Sequence, residues 1–241
     1  MIQLEGVAKA YQKAGRVTVH ALRGVDLTIG DGEMVAVLGP SGSGTSTLMN
    51  ILGCMDVPTT GRYLLDGTDV AALSRRQLAE IRSRKIGFVF QSSNLISDAT
   101  VMGNVELPLI YMRARVRRES AQRALERVGL EGRQDDLPVE LFAAQRQKAV
   151  IARALINNPV ILLDDEPASG LDHDSSIEIM GLFAALNSAG CTVVFATHEE
   201  EIAAFAKRVV RLQDGRIVSD QAVTNRAPSP PCSTGSSADG P

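Results

Sequence analysis

The chain has 241 residues, of which 44% are hydrophobic and 22% charged, values ordinary for a globular protein with one large α/β domain. Its net charge of −3 gives no general attraction to nucleic acid, and no apolar run approaches the roughly 20 residues of a membrane-spanning helix. We expect no signal peptide, and the three widely spaced cysteines, Cys54, Cys191 and Cys232, form no metal pattern and favour a reducing interior.

Alternating apolar residues predict strands around Ile2 and Leu4 and over residues 25–29. Continuous apolar runs, which are typical of strands buried on both faces, cover residues 34–38, 86–90, 160–163 and 192–196. Polar groups follow these runs: a glycine-rich loop, Gln91, Asp165-Glu166 and Thr197-His198. Because ligands bind beyond the carboxyl ends of parallel strands, the sequence predicts that the four strand ends converge on one crevice.

The stretch between Gln91 and Pro159 is mainly helical in pattern, with helices predicted over residues 119–128 and 140–156. The arginines within 113–118 have no interleaved aromatic residues, which favours a solvated helix entry over a nucleic-acid patch. Residues 209–218 predict a hairpin turning at Asp214-Gly215. The Pro-, Ser- and Gly-rich residues 222–241 are predicted to form a disordered tail.

The glycine-rich loop reads Gly-Pro-Ser-Gly-Ser-Gly-Thr-Ser-Thr over residues 39–47, and it fits the phosphate-loop pattern G-x-x-x-x-G-K-[ST] except at the lysine. Its glycines let backbone N–H groups approach phosphate oxygens, and the helix that follows adds its positive N-terminus. Ser46 is placed to offer a hydroxyl to Mg²⁺. The predicted nucleotide-binding residues of the loop are Gly39, Ser41, Gly42, Ser43, Gly44, Thr45, Ser46 and Thr47.

Thr45 stands where the pattern has the lysine whose ammonium neutralises phosphate charge. A charge-assisted hydrogen bond is worth about 1.5–3 kcal/mol and a neutral one about 1 kcal/mol. The difference is greatest in the transition state, where charge builds up. We therefore expect weakened ATP binding and more strongly weakened hydrolysis.

Asp165 and Glu166 end an apolar run and suggest a division of roles. Asp165 suits the Mg²⁺ site, and Glu166 suits the positioning or deprotonation of the attacking water. Asp164 is an unexpected third carboxylate, which we expect to add repulsion near the phosphates. His198 ends another buried run, where it could hydrogen-bond a γ-phosphate.

Over residues 1 to about 220 the chain resembles the ATP-binding subunit of an ABC transporter. The features that carry the resemblance follow in the family's order: Tyr11, the phosphate loop, Gln91, a signature region, Asp165-Glu166-Pro167, Ser169-Gly170-Leu171-Asp172 and His198. The macrolide-export and lipoprotein-release branch is the most similar, on the strength of residues 47–54, 87–91 and 104–109.

The resemblance implies an α/β P-loop NTPase core of the ABC ATPase type, with a mixed sheet, an antiparallel β subdomain and an inserted helical subdomain. The core would comprise residues 1–91 and 160–221, the helical subdomain 92–159 and the tail 222–241. It implies ATP and Mg²⁺ as cofactors, with Tyr11 stacking on adenine, Gln91 joining Ser46 and Asp165 at the metal, and Asp172 at the nucleotide. The subunits would form a homodimer or heterodimer at the cytoplasmic face of the inner or plasma membrane, bound to a permease on a separate chain and not to nucleic acid.

The signature Leu-Ser-Gly-Gly-Gln of the family is replaced here by Leu141, Phe142, Ala143, Ala144 and Gln145. In the family this segment contacts the γ-phosphate held by the partner subunit. Phe142 offers neither a hydroxyl nor room, and the two alanines add methyl groups where backbone must approach an anion. As a helix the segment is improved, because alanine is the best helix former.

Each composite site of the family combines one subunit's phosphate loop with the other's signature, so no arrangement of this chain yields an intact site. The leading hypothesis is therefore an ATP-binding export or lipoprotein-release subunit with poor or absent hydrolysis. One alternative is a non-enzymatic scaffold that holds its permease; another is an active ATPase in which a nearby cation replaces the lysine. A repair or ribosome-associated ABC protein is disfavoured, since the chain lacks paired cassettes and long coiled coils.

Overall fold

A computed structural model describes residues 2–13, 17–90, 94–111 and 113–224. The strands are β1 Ile2–Lys13, β2 Val17–Ile29, β3 Met34–Leu38, β4 Thr60–Leu65, β5 Thr68–Asp69, β6 Ile86–Val89, β7 Ile161–Asp165, β8 Thr192–Thr197, β9 Arg208–Gln213 and β10 Arg216–Ala222. The α-helices are α1 Thr45–Leu52, α2 Arg75–Lys85, α3 Val101–Glu106, α4 Ala114–Glu126, α5 Ala143–Leu155, α6 His173–Ser188 and α7 Glu200–Ala203. Short 3₁₀ turns occupy Val70–Ala72, Leu107–Leu109 and Pro138–Glu140.

The larger sheet has six strands in the order β10-β9-β3-β8-β7-β6. All neighbours pair in parallel except β10, which returns antiparallel to β9 after the turn at Asp214 and Gly215. The predicted buried runs are β3, β6, β7 and β8, so these strand predictions and the hairpin are confirmed. Their carboxyl ends lie at one edge of the sheet, where Glu166 after β7 and His198 after β8 are in contact.

The smaller sheet is antiparallel, with the order β2-β1-β4-β5. β1 pairs with β2 from Ile2 opposite Ile29 onward, and β4 pairs with the other edge of β1. A mixed sheet, an antiparallel sheet and the helices between β6 and β7 together confirm the predicted α/β fold class.

Two hydrophobic clusters pack against opposite faces of the larger sheet. Along β3, Val35 and Val37 belong to the cluster shared with α1 and the smaller sheet, whereas Met34, Ala36 and Leu38 belong to the cluster shared with α3–α6. Alternate side chains of a strand point to opposite faces, which explains why this run is apolar at every position. Since the second cluster joins the sheet to the helices, the predicted division at 92–159 stays a prediction.

The helices between β6 and β7 differ from the prediction at their ends. α5 begins at Ala143 rather than at residue 140, because a 3₁₀ turn at Pro138–Glu140 precedes it and Phe142 is extended, with ψ of 163°. α4 begins at Ala114 and so includes most of the arginine run. Arg115 and Arg117 there pair with Glu119 and Glu106, as expected of a solvated helix entry.

α2 was not predicted, and a capping box formed by Ser74 and Gln77 starts it. No helix in the described part of the chain has both the length and the apolar character needed to cross a membrane. Gln91 and the predicted tail from residue 225 onward lie outside the described residues.

Candidate nucleotide-binding site

The glycine-rich loop connects β3 to α1 at the carboxyl edge of the larger sheet. Gly39 N donates to Thr197 O at 3.1 Å, and Gly215 N donates to Ser43 O at 2.9 Å. A Cβ at Gly44 would lie 2.4 Å from the Ala21 carbonyl oxygen, and Gly44 has φ of 105°. Close backbone approach and a left-handed conformation therefore require glycine at this position.

The loop has the donors that a phosphate group needs. Ser43 is buried, and its Oγ has no hydrogen-bond partner among the described residues. α1 begins at Thr45, directly after Gly44, whose position as N-cap supplies no side-chain hydrogen bond. The first N–H groups of α1 therefore have no capping side chain and, with the helix dipole, favour an anion. An orphaned hydroxyl and uncapped N–H groups in one loop fit a bound phosphate.

Asp165, the last residue of β7, lies beside Ser46 in the first turn of α1. Burial raises the pKa of the Asp165 carboxyl, while a hydrogen bond with the Ser46 side chain opposes that rise. A hydroxyl and a half-buried carboxylate are oxygen ligands of the kind that Mg²⁺ prefers. The described members of the predicted metal site, Ser46 and Asp165, therefore fit the ion, which would supply positive charge at the β- and γ-phosphates.

Asp164 does not lie in the crevice, contrary to the expectation of a third carboxylate near the phosphates. Its side chain is fully buried on the face of β7 that packs against α5, with Oδ2 3.5 Å from Gln147 Nε2. Side chains alternate along a strand, so neighbouring Asp165 points to the opposite face. Burial raises the pKa of Asp164 well above its usual range, and the charges of Asp165 and Glu166 raise it further.

The two predicted catalytic residues are in direct contact. His198 Nδ1 lies 2.9 Å from Glu166 Oε1, across the ends of β8 and β7. This hydrogen bond and the carboxylate charge raise the pKa of His198. Glu166 has φ of 72°, a left-handed conformation that is uncommon for a residue with a side chain. Glu166 N is fixed by a hydrogen bond to Ala196 O at 3.0 Å.

Tyr11 lies beside Thr47 in the first turn of α1, and its stacking on adenine stays a prediction. Its hydroxyl donates to Asp56 Oδ2 at 2.9 Å, and Thr47 also hydrogen-bonds the Tyr11 side chain. Lys9 Nζ stands 5.0 Å from the centre of the Tyr11 ring and forms an ion pair with Asp56. Burial, followed by the hydrogen bond to Asp56, raises the pKa of Tyr11.

The signature residues lie at the N-terminus of α5, and no hydrogen bond in the described ranges joins residues 141–145 to the phosphate loop. Phe142 occupies the N-cap position with 76% of its surface exposed, and its side chain caps nothing. Gln145 Oε1 accepts from Phe142 N at 3.0 Å, while Leu141 and Ala144 are buried. Only residues 143–145 of the segment are helical, so the expected gain in helix propensity applies to the alanines alone.

Asp172 is the N-cap of α6, where its carboxylate accepts from Ser175 N at 2.9 Å. This backbone bond and a bond from the Ser175 hydroxyl lower the pKa of Asp172. A cap of this kind is structural in itself, and a role at the nucleotide stays a prediction. Gln91, predicted for both the nucleotide and the metal, is outside the described residues.

Lys9, Asp56 and Glu199 were not among the predicted site residues. Lys9 and Asp56 lie beside Tyr11, and Glu199 lies beside Glu166 and His198. Asp56 follows Tyr11 by 45 residues along the chain, so no local pattern could have linked the two. Glu199 could have been predicted as a site residue, because it directly follows His198 at the end of a strand.

Comparison with known proteins agrees with this geometry. A family model described as ABC transporter matches residues 22–169. The chain is 48% identical over 220 residues to the ABC transporter ATP-binding protein YknY of Bacillus subtilis, covering 90% of this chain and 95% of that protein. It is also 48% identical over 222 residues to the macrolide export ATP-binding/permease protein MacB of Escherichia coli, covering 91% of this chain and 34% of MacB. The chain thus spans about a third of the MacB relative.

Among solved structures, the chain resembles the dimeric ATP-binding cassette MJ0796 bound to ADP and Pi, with a TM-score of 0.84 and 42% identity. That match covers 92% of this chain and 99% of the cassette. The second structure, cbiO1 of Clostridium perfringens, part of the transporter complex cbiONQ, has a TM-score of 0.82 and 30% identity over 92% of this chain and 88% of that one. The resemblance read from the sequence is therefore confirmed.

Proposed function

The chain belongs to the ABC transporter family of ATP-binding proteins, and on that premise we propose that it is the ATP-binding subunit of an export or lipoprotein-release transporter with impaired or absent hydrolysis. It binds Mg-ATP at a dimer interface and couples to a permease on a separate chain at the cytoplasmic face of the membrane. One observation carries the proposal: an otherwise complete phosphate loop has neutral Thr45 at the lysine position.

The loop supports binding. Gly39 and Gly44 are held where a side chain would collide with backbone oxygens, and Ser43 presents an unpartnered hydroxyl within the described structure. Replacing an ammonium donor by a hydroxyl donor removes about 0.5–2 kcal/mol of interaction with phosphate, and every 1.4 kcal/mol is tenfold in affinity. ATP affinity falls by a moderate factor, whereas the transition state, which carries more charge on the transferring group, loses more.

A cation replacing the lysine would favour an active ATPase. In the described residues, hydrogen bonds connect Lys9 to the loop through Asp56 and Tyr11. Its ammonium forms an ion pair with Asp56 Oδ1 and donates to Val57 O at 2.8 Å. Lys9 is also 9% exposed and therefore buried by its surroundings. An ammonium with two partners in a packed site is not available to neutralise phosphate, which favours impaired turnover.

The signature supports the same conclusion. Phe142 places an exposed phenyl ring at the N-terminus of α5, where the family has a serine. An anion approaching these helical N–H groups meets an apolar ring in place of a hydroxyl donor. In the composite site that the family resemblance implies, this surface would face the partner's phosphate loop. A homodimer would then have both substitutions in both sites.

The comparisons and one surface groove support a permease partner. MacB, to which this chain is 48% identical, has a name that joins ATP-binding and permease functions. From the family resemblance of the sequence, we propose a permease on a separate chain. A groove of about 390 Å³ next to exposed Phe90, also lined by Met55, Phe88 and Arg153, could receive a permease segment. Phe88 and Phe90 pack with ring centres 4.5 Å apart beside it.

Calorimetric titration with Mg-ATP and steady-state ATPase assays, without and with the permease, test the proposal. The restored variant carries Thr45→Lys, Phe142→Ser, Ala143→Gly and Ala144→Gly. Thr68→Lys, the same chemical change at an exposed site on β5, is the control. We expect measurable ATP binding and near-background turnover for the natural chain and the control, and clear turnover for the restored variant.

Two other outcomes would change the conclusion. If the natural chain turns over as fast as the restored variant, it is an ordinary transport ATPase and the argument from Thr45 is wrong. If the natural chain binds no ATP but co-purifies with the permease, the non-enzymatic scaffold is correct.

A further inference from the structure

Three potential metal ligands from two strand ends meet beside the nucleotide crevice. One ligand atom each of Glu166, His198 and Glu199 lies within 4.8 Å of the other two. His198 and Glu199 follow β8, and Glu166 follows β7. The phosphate loop and Ser46 are not part of this group, which separates it from the predicted Mg²⁺ ligands.

Backbone hydrogen bonds fix the group before any ion arrives. Glu166 N donates to Ala196 O at 3.0 Å, which joins the ends of β7 and β8. Glu199 N donates to Thr197 Oγ1 at 3.1 Å, so the backbone that carries two of the ligands is held at the end of β8. Because the backbone of all three residues is held and His198 is already bonded to Glu166, binding an ion mainly has to order the side chain of Glu199.

The composition of the group favours a transition metal over Mg²⁺. Imidazole nitrogen suits Zn²⁺, Cu²⁺ and Ni²⁺, whereas Mg²⁺ prefers oxygen ligands alone. Zn–N and Zn–O bonds of about 2.0–2.2 Å place tetrahedral ligands about 3.4 Å apart. His198 Nδ1 and Glu166 Oε1 are now 2.9 Å apart, and no two of the three ligand atoms are more than 4.8 Å apart. Small side-chain rotations would therefore bring all three to the separation that Zn²⁺ requires.

We propose that Glu166, His198 and Glu199 form a binding site for a divalent transition-metal ion such as Zn²⁺. The two carboxylates balance the charge of the ion, and the imidazole provides the selectivity. The His198 side chain is 61% exposed, which leaves a path from solvent, and three protein ligands leave a fourth position for water.

An ion in this site would withdraw Glu166 and His198 from the roles predicted for them at the attacking water and the γ-phosphate. Its binding is a property of the apo chain and does not depend on turnover. Failure of the proposed function would leave the metal site intact, and the reverse also holds.

Titration of the full chain with Zn²⁺, followed by calorimetry in excess Mg²⁺, tests the proposal. Glu199→Gln removes one ligand without touching the predicted catalytic pair. Glu201→Gln is the matched control, since Glu201 is exposed on α7, two positions away, and is not part of the group. We expect one Zn²⁺ per chain for the natural protein and the control, and about tenfold or greater weakening for Glu199→Gln.

His198→Ala should weaken binding at least as strongly, with circular dichroism verifying that each variant is folded. Co²⁺ used as a second probe should give the visible absorption of a nitrogen- and oxygen-liganded ion. Equal Zn²⁺ affinity in all four proteins, as binding at a cysteine would give, overturns the proposal. Displacement of Zn²⁺ by millimolar Mg²⁺ also overturns it.

Discussion

Asp164 is an ionisable group whose burial should cost the protein stability at neutral pH. Its side chain is fully buried, Oδ1 has no partner among the described residues, and the nearest donor, Gln147 Nε2, is 3.5 Å from Oδ2. Burial raises its pKa well above the ordinary value, with a further contribution from the charges of Asp165 and Glu166. The carboxyl of Asp164 therefore holds its proton to a higher pH in the folded protein than in the unfolded chain.

The sign of the pH dependence follows from proton linkage. A carboxyl whose pKa is raised on folding leaves stability intact below the unfolded value, about 3.9 for aspartate. Stability then falls as pH rises towards the folded pKa, by about 1.4 kcal/mol per pH unit. Asp164→Asn removes the ionisable group and keeps the size of the side chain. Its stability relative to the natural protein should therefore increase as pH rises from about 4 towards the folded pKa of Asp164.

Urea unfolding at pH 4, 5, 6 and 7, with EDTA to remove divalent ions, measures the effect. With a urea dependence of about 3 kcal/mol per molar, each pH unit between the unfolded and the folded pKa should separate the two midpoints by about 0.5 M further. Asp135→Asn, an exposed aspartate, is the control and should follow the natural protein within about 0.5 kcal/mol at every pH. The burial argument would be refuted if the stability gained by Asp164→Asn did not grow with pH, or if this variant were less stable than the natural protein at pH 7.

Three further predictions concern stability. Gly44→Ala should lower the free energy of unfolding, measured in urea, by more than about 1 kcal/mol, and it should weaken ATP binding. The reason is that the φ of 105° at Gly44 and its contact with a carbonyl oxygen exclude a Cβ. The control Gly103→Ala lies inside α3, where a Cβ would have its nearest contact at 3.4 Å, and should be neutral or stabilising. Arg208→Gln should cost about 1 kcal/mol at pH 7, because Arg208 holds Asp220 through two bonds of 2.6 Å. The pair lowers the pKa of Asp220, so the part of the cost due to Asp220 should be lost as pH falls from about 4 through the lowered pKa. The bond from Arg208 to Thr28 O does not titrate, so a smaller cost remains, and a cost that does not fall at all would contradict the assignment. Phe142→Ser should cap α5 and raise stability by about 1 kcal/mol in thermal unfolding, whereas a loss would show that Phe142 packs in solution.

Local patterns in the sequence determined the strands of the larger sheet and the phosphate loop. β3 is apolar at every position, β7 begins with three apolar residues and β8 has four between two threonines, as is typical of strands buried on both faces. The order of motifs along the chain was sufficient to identify the family. The hairpin at Asp214-Gly215 was equally local, since its two residues adopt positive φ within the turn itself.

The start of α5 could not be read correctly, because a helical pattern continues through residues 140–142 while the 3₁₀ turn at Pro138–Glu140 and the extended Phe142 interrupt it. The environment of Asp164 was also determined by the tertiary structure. In sequence it is one of three adjacent acidic residues. Only the packing of α5 on one face of β7 buries it and raises its pKa, while Asp165 points to the opposite face beside Ser46.

Contacts between distant segments were likewise beyond the sequence. The sequence placed His198 and Glu166 at strand ends, but their 2.9 Å contact depends on the parallel pairing of β7 and β8. Tyr11 meets Asp56 because β1 runs beside the chain that leaves α1. A motif can be recognised from residues that are adjacent in sequence. The distance between two motifs in space depends on sheet register and helix packing, which involve the whole chain.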